Sequence, residues 1–161
     1  MEYCFVYPSP LGPLTVTCRD GKLRGLYFRP PTEAEASLPS QAPTIEPVKD
    51  WLDRYFAGQA PAPGELPLQA EGSPFRETVW RLLLTIPYGE VRTYGELARE
   101  AARILGKEKM SAQAIGGAVG RNPIPIIIPC HRVVAAGGKL GGFGWGEDAK
   151  RWLLRHEGHV W

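Results

Sequence analysis

Apolar positions in the first part of the chain cluster in short runs. Tyr3–Tyr7 and Leu14–Cys18 are rich in aromatic and β-branched residues, which predicts two strands. Between them, Pro8-Ser9-Pro10-Leu11-Gly12-Pro13 reads as the turn. Asp20-Gly21 predicts a hairpin into a third strand over Leu23–Phe28. The Pro- and Ala-rich stretch from Arg29 to Glu46 reads as a connection. The spacing then changes, and Val48, Trp51, Leu52 and Tyr55 fall on one helical face. Gly58–Gly72 holds three prolines and reads as a linker between domains. Residues 1–70 are therefore expected to form a small α/β domain.

Beyond Gly72 the apolar spacing is helical. Ser73-Pro74 supplies an N-cap and a first-turn proline, with Phe75, Val79, Leu82, Leu83 and Ile86 as the buried stripe. Pro87-Tyr88-Gly89 ends that helix. Thr93-Tyr94-Gly95-Glu96 fits a capping box and predicts a helix to about Ile104. Ser111 starts the next helix, with Ile115, Ala118 and Val119 facing inward. Two helices so joined predict a helix-turn-helix. Three consecutive isoleucines, Ile126–Ile128, predict a buried strand that Pro129 must stop. Ala149, Trp152, Leu153 and His156 form a last amphipathic stripe that Gly158 can terminate. The expected class is α+β: the N-terminal α/β domain, and a mainly helical domain over 73–161 with a winged-helix-like helix-turn-helix.

Composition narrows the setting. The 161 residues are 43% apolar and 22% charged, which marks a globular chain. The first residues lack the basic-then-apolar order of a secretory signal, and no run approaches a membrane span. Three cysteines, an odd number, argue against a disulfide framework and fit a reducing compartment. A cytoplasmic monomer is expected. The charge is uneven: residues 1–72 carry 6 Lys and Arg against 9 Asp and Glu, whereas 73–161 carry 13 against 8. A basic half points to a polyanionic partner.

The candidate chemistry lies in that basic half. Residues 123–132 read Pro-Ile-Pro-Ile-Ile-Ile-Pro-Cys-His-Arg, delivering a thiol at a stiff point with an imidazole beside it. Nucleophilic cysteines need that combination, because the thiolate reacts and a base must take its proton. Cys4 and Cys18 lack a nearby histidine and are expected to pack as small apolar side chains. The whole stretch Ser111-Ala-Gln-Ala-Ile-Gly-Gly-Ala-Val-Gly-Arg-Asn-Pro-Ile-Pro-Ile-Ile-Ile-Pro-Cys-His-Arg-Val-Val resembles the active-site signature of the O6-alkylguanine-DNA alkyltransferases. The likeness extends to Arg92-Thr-Tyr-Gly-Glu-Leu-Ala upstream and Trp152-Leu-Leu-Arg-His-Glu-Gly downstream. It is dense over residues 73–158 and loose over 1–60.

The resemblance implies a cofactor-free reaction in which Cys130 displaces guanine from an alkyl carbon on its O6 and keeps the group as a thioether. His131 would take the thiol proton through a water, and Glu157 would orient and stabilise the imidazolium. Asn122 would hold the end of the second motif helix against the cysteine turn. The partner implied is double-stranded DNA containing O6-alkylguanine, entered from the minor groove with the damaged base extruded. Tyr94 would crowd the phosphate and donate toward guanine N3. Ala112, Gln113, Gly116, Gly117 and Arg121 fall on the DNA-contacting helix, with Gln113 where the family carries its intercalating arginine. Gly116 and Gly117 would permit close DNA approach or tight helix packing. Arg132 would contact a phosphate or pair internally. Val119, Pro125, Val133, Phe143, Gly144 and Trp145 are expected around the base, with a core role as the alternative for Trp145. Some members hold zinc through N-terminal Cys and His ligands; here no histidine precedes His131, so no metal is expected. Two other functions compete: a non-transferring recognition protein of the alkyltransferase-like group, which lacks the cysteine, and a cysteine hydrolase.

Overall fold

Three antiparallel strands open the chain in a computed structural model that describes residues 1–161: β1 (Glu2–Ser9), β2 (Gly12–Arg19) and β3 (Lys22–Tyr27). β1 and β2 stay in register from Glu2↔Arg19 to Ser9↔Gly12. The expected six-residue turn thus shrinks to Pro10-Leu11, and Pro8 faces Pro13 inside the ladder. Pro8 lies on an edge strand and Pro13 near the start of β2, where a missing N–H costs the sheet little. Gly12 takes φ +93°, and the Leu11 N–H donates to Ser9 Oγ to close the turn.

The stretch read as a connection contains a short helix, α1 (Glu33–Ala36), fixed by a capping box between Thr32 and Glu35. In α2 (Ile45–Phe56), Ile45, Val48, Trp51, Leu52 and Tyr55 are all buried, with Leu14, Val16, Leu23 and Leu26 of the sheet. The stretch expected to be a loose linker is pinned instead. Trp51 Nε1 donates to Ala62 O, the Leu23 N–H to Pro67 O and the Gln69 N–H to Leu23 O. Leu68 forms an isolated parallel bridge with Leu23, so the first unit runs from Met1 to Glu71.

The second unit, Gly72–Trp161, begins with α3 (Pro74–Leu83), whose N-cap Ser73 accepts from the Arg76 N–H. There follow β4 (Arg92–Thr93), α4 (Tyr94–Leu105), α5 (Ala112–Gly120), β5 (Val133–Val134) and α6 (Glu147–His156). β4 and β5 pair in parallel, and α3, α4 and α5 pack together, with Trp80 Nε1 donating to Ala118 O. The Thr93–Glu96 capping box starts α4, Gly106 ends it at φ +67°, and Ser111 caps α5. No helix is long and apolar enough to cross a membrane.

Two expectations change here. The isoleucine run is buried but is not a strand. Pro123, Pro125 and Pro129 remove the donors a ladder needs, and the Ile128 N–H instead turns back to Ile124 O. Ile126 takes φ +73°, a conformation that costs a β-branched residue on the order of 1–3 kcal/mol. The face of α6 also differs. Lys150, Leu153, Leu154 and then Glu157 are buried, while Trp152 and His156 stack on each other, half-buried, at 4.9 Å.

Candidate active site

Asn122 builds the turn that carries Cys130. Its Oδ1 accepts from the Ile124 N–H at 3.0 Å and its Nδ2 donates to Ile128 O at 2.8 Å, so one amide closes the proline-rich loop at both ends. Cys130–Arg132 then forms a single 3₁₀ turn, with the Cys130 N–H donating to Ile128 O. The thiol lies in the wall of a cavity of about 240 Å³ lined also by Tyr94, Gly116, Val119, Gly120, Asn122, Pro125 and Gly142–Trp145. That volume is below the roughly 300–1,000 Å³ of drug-sized sites and suits one small group.

The thiol is buried rather than pushed out of the core, with 6% of its surface exposed. Burial drives its pKa up to about 11; the Asn122 amide, the Lys150 ammonium and the backbone N–H groups of Cys130 and His131 pull the other way. Deprotonation therefore needs a base. Behind the cysteine, His131 Nε2 lies 2.5 Å from Glu157 Oε2, both side chains fully buried. Burial holds the imidazole below its usual range despite the carboxylate, so it is neutral near pH 7. Burial also opposes the charge of Glu157, yet hydrogen bonds from His131 and Arg132 keep it well below the usual carboxylate range. An ionised Glu157 accepts from Nε2–H, which leaves the lone pair on Nδ1, a buried atom with no protein partner. An imidazole with a free lone pair on Nδ1, the tautomer a general base requires, thus stands next to the Cys130 thiol in sequence. A carboxylate at the C-cap of α6 opposes the helix dipole, and its two cationic or protonated partners offset that cost.

Residues 3–70 match the family model described as 6-O-methylguanine DNA methyltransferase, ribonuclease-like domain, and residues 74–159 match its DNA binding domain. This chain belongs to that family. Among relatives, the methylated-DNA–protein-cysteine methyltransferase of Haemophilus influenzae is 39% identical, with 96% of this chain and 86% of the relative covered. That of Mycobacterium tuberculosis is 41% identical, covering 92% and 88%. The Mycobacterium tuberculosis OGT solved in complex with DNA has a TM-score of 0.81 at 38% identity, covering 96% of this chain and 92% of that one.

Within this methyltransferase architecture the expected site residues separate into three groups. Cys130, Asn122, Tyr94, Val119, Pro125, Phe143, Gly144 and Trp145 gather around the cavity, with His131 and Glu157 behind it. Trp145 is 37% exposed, which removes the core-filling alternative. Ala112, Gln113, Gly117 and Arg121 lie exposed on or just after α5, whose Gly116 and Gly120 line the cavity. A Cβ at Gly117 would meet nothing within 4 Å and one at Gly116 only the Tyr94 ring at 3.9 Å, so tight packing explains neither glycine.

Val133 sits elsewhere than expected: it is fully buried in β5 and does not line the cavity. Of the two roles expected for Arg132, the structure shows the internal pairing and not the phosphate contact. Arg132 is buried, with Nε 2.7 Å from Glu157 Oε1 and Nη1 donating to Ile86 O at 2.7 Å, so internal pairing takes its donors. One residue was missed. Lys150 is fully buried and donates to Val133 O and Gly142 O. Its signal was present in the i, i+3, i+4, i+7 stripe of Lys150, Leu153, Leu154 and Glu157, where two charged residues hid the buried face.

Proposed function

We propose that this chain is a methylated-DNA–protein-cysteine S-methyltransferase that repairs O6-alkylguanine directly. It moves one alkyl group, mainly methyl, to Cys130 and acts once. The observation that carries this reading is a thiol in the wall of a base-sized cavity, with an orienting asparagine and a buried His–Glu pair behind it. The duplex binds through its minor groove along α5, and Gln113 enters the stack as the base leaves it. The extruded base lies between Phe143 and the cavity wall, with the Gly144 amide near O6 and Trp145 at the mouth restricting the size of the O6 substituent.

The cysteine proton passes to Nδ1 of His131 through a water, and Glu157 stabilises the imidazolium. Sγ attacks the alkyl carbon, the bond from that carbon to O6 breaks, and the electrons leave with guanine. Tyr94 donates toward N3 of the departing base. No metal or cofactor is needed for this balance. A thioether resists hydrolysis, so the reaction stops after one turnover. The protein works as a cytoplasmic monomer. A recognition protein that binds without transfer would have no use for the cysteine and its base.

Intact mass and peptide mapping test the reading. After mixing with duplex DNA containing O6-methylguanine, one methyl group is expected per chain, on Cys130. Cys130→Ala should abolish transfer and retain lesion binding. A methyl group on Cys4 or Cys18, or turnover exceeding one, would overturn it.

A further inference from the structure

Lys150 is the one fully buried lysine in the chain. Its Nζ donates to Val133 O at 2.6 Å and Gly142 O at 3.0 Å and lies 5.8 Å from the centre of the Tyr94 ring. Both hydrogen bonds go to backbone carbonyls, and no carboxylate is within ion-pair reach. A buried cation without a counter-anion is expensive, and an apolar side chain of the same length would pack there more cheaply. Its position shows what the charge can do. Gly142 begins the segment whose Phe143, Gly144 and Trp145 line the cavity, and its carbonyl is also 3.5 Å from the Tyr94 hydroxyl. The same ammonium grips β5 at Val133, directly after the Cys130–Arg132 turn. The pocket loop is thus braced from α6 through the Gly142 carbonyl, which leaves the Tyr94 hydroxyl able to turn to the base.

We propose that Lys150 is a positioning residue of the acceptor pocket: its charged ammonium fixes residues 141–145 in the geometry that holds the extruded base. This rests on the methyl-transfer reading above and adds a residue and a pH dependence to it. Charge-assisted hydrogen bonds are the strong ones, so the brace weakens when the ammonium loses its proton. The titratable groups facing Lys150 are Tyr94 from α4, Cys130 and His131 from the 130–132 turn, and Glu147 on α6. Burial brings Lys150 down to about 8, while the Tyr94 hydroxyl and the Cys130 thiol are pushed up and His131 down. Between pH 7 and pH 9, Lys150 is therefore the member of this cluster that changes charge.

The test measures lesion preference, the ratio of affinities for O6-methylguanine duplex and unmodified duplex, from pH 6.5 to pH 9 in full-length protein carrying Cys130→Ala, which binds the lesion without consuming it; iodoacetamide labelling and methyl transfer are read with Cys130 in place. This parent background should lose preference as pH rises through about 8. Lys150→Met should lower it about tenfold at neutral pH, the size expected for lost hydrogen bonds from a charged donor, and leave it flat with pH. Lys150→Arg, charged throughout, should restore much of the preference and remove the alkaline fall. Equal preference in Lys150→Met and parent would overturn the proposal. So would intact preference with slowed alkylation of Cys130 by iodoacetamide, because Lys150 would then serve the thiol and not the loop. If Lys150→Met fails to fold, a parent preference that stays flat between pH 7 and pH 9 overturns it instead. Absence of methyl transfer in the parent would refute the functional reading itself, a result separable from all of these.

Discussion

Residues 1–71 bury aliphatic and aromatic side chains together with Thr15, whose hydroxyl donates to Arg29 O; residues 72–161 bury Thr78, Asn122, His131, Arg132, Lys150 and Glu157. Charges in the first unit lie mostly at the surface, in pairs such as Arg54–Asp50 and Arg19–Glu2, with Arg29–Glu35 part-buried. Exposed pairs of that kind contribute about 0–1 kcal/mol, and the apolar core holds the unit together. In the second unit His131, Arg132, Lys150 and Glu157 are desolvated, and each is hydrogen-bonded within the protein. Buried charge is a poor way to stabilise a fold and a good way to tune a pKa. The contrast supports placing the chemistry in the second unit on grounds independent of the cysteine.

Removing Glu157 should have the largest effect. Glu157→Ala leaves Arg132 and His131 buried without their anion, and breaking a buried pair costs about 3–5 kcal/mol. Glu157→Gln keeps the shape and separates stability from chemistry. It cannot hold an imidazolium, so methyl transfer at neutral pH should slow by about 100- to 10,000-fold, with the deficit shrinking at alkaline pH. Single-turnover rates and urea midpoints measured on both variants check this. A Glu157→Gln protein that transfers at the parental rate would show that the carboxylate only ties Arg132 in place.

Acid should expose the same asymmetry. His131 has a depressed pKa, so the unfolded chain takes up its proton first and stability falls as pH drops below the ordinary histidine value of about 6.5. Glu157 is also depressed; its contribution is complete above the unfolded value of about 4.3 and is lost as pH falls further. Both shifts act in one direction, and both belong to the second unit. Urea melts followed by proteolysis at intervals from pH 7 to pH 4 should therefore show residues 72–161 weakening first. Earlier cleavage within 1–71 would contradict the assignment.

Legibility in the sequence follows the same line. Strands β1 to β3, α2 and the capped helices α3 to α5 were readable, because their buried faces are apolar and the helix caps are Ser73, Thr93 and Ser111; the two-residue strands β4 and β5 are too short to show a pattern. What periodicity missed lies where polar groups occupy the interior. The true inner face of α6 includes Lys150 and Glu157, so an apolar pattern selected Trp152 and His156 instead. The isoleucine run looked like a strand because its β-branched residues are buried, but its backbone is organised by the Asn122 side chain, a tertiary contact that residue type alone does not display. Arg132 was ambiguous for the same reason, since its partner lies 25 residues away.

A smaller effect is expected on the exposed side of α5. Gln113 is solvent-exposed, and glutamine lacks the charge and planar guanidinium that make arginine effective against nucleic acid. Gln113→Arg should tighten duplex binding several-fold, about what one added phosphate-facing cation gives, with steeper salt dependence. Transfer from the free modified base should not change, because no stack must be opened. If the free base also reacts faster, residue 113 acts on the pocket and not on DNA.

The smallest effect should come from the first unit, and it tests the comparison most directly. Tyr7 donates to Asp53 at 2.5 Å and stacks on Phe56 at 5.9 Å. Tyr7→Phe keeps the stack and removes the hydroxyl, while the exposed Asp53 can turn to water, so the loss should be about 0.5–1.5 kcal/mol. Nothing in residues 1–71 lines the cavity around Cys130, so the single-turnover rate should stay within about twofold of the parent, the scatter expected for a substitution away from the site. Denaturation and transfer should be measured on one preparation, since a poorly folded sample would depress both. A variant that keeps its urea midpoint and loses transfer would show that the first unit takes part in the chemistry, and the division between a passive apolar half and a working polar half would then be wrong.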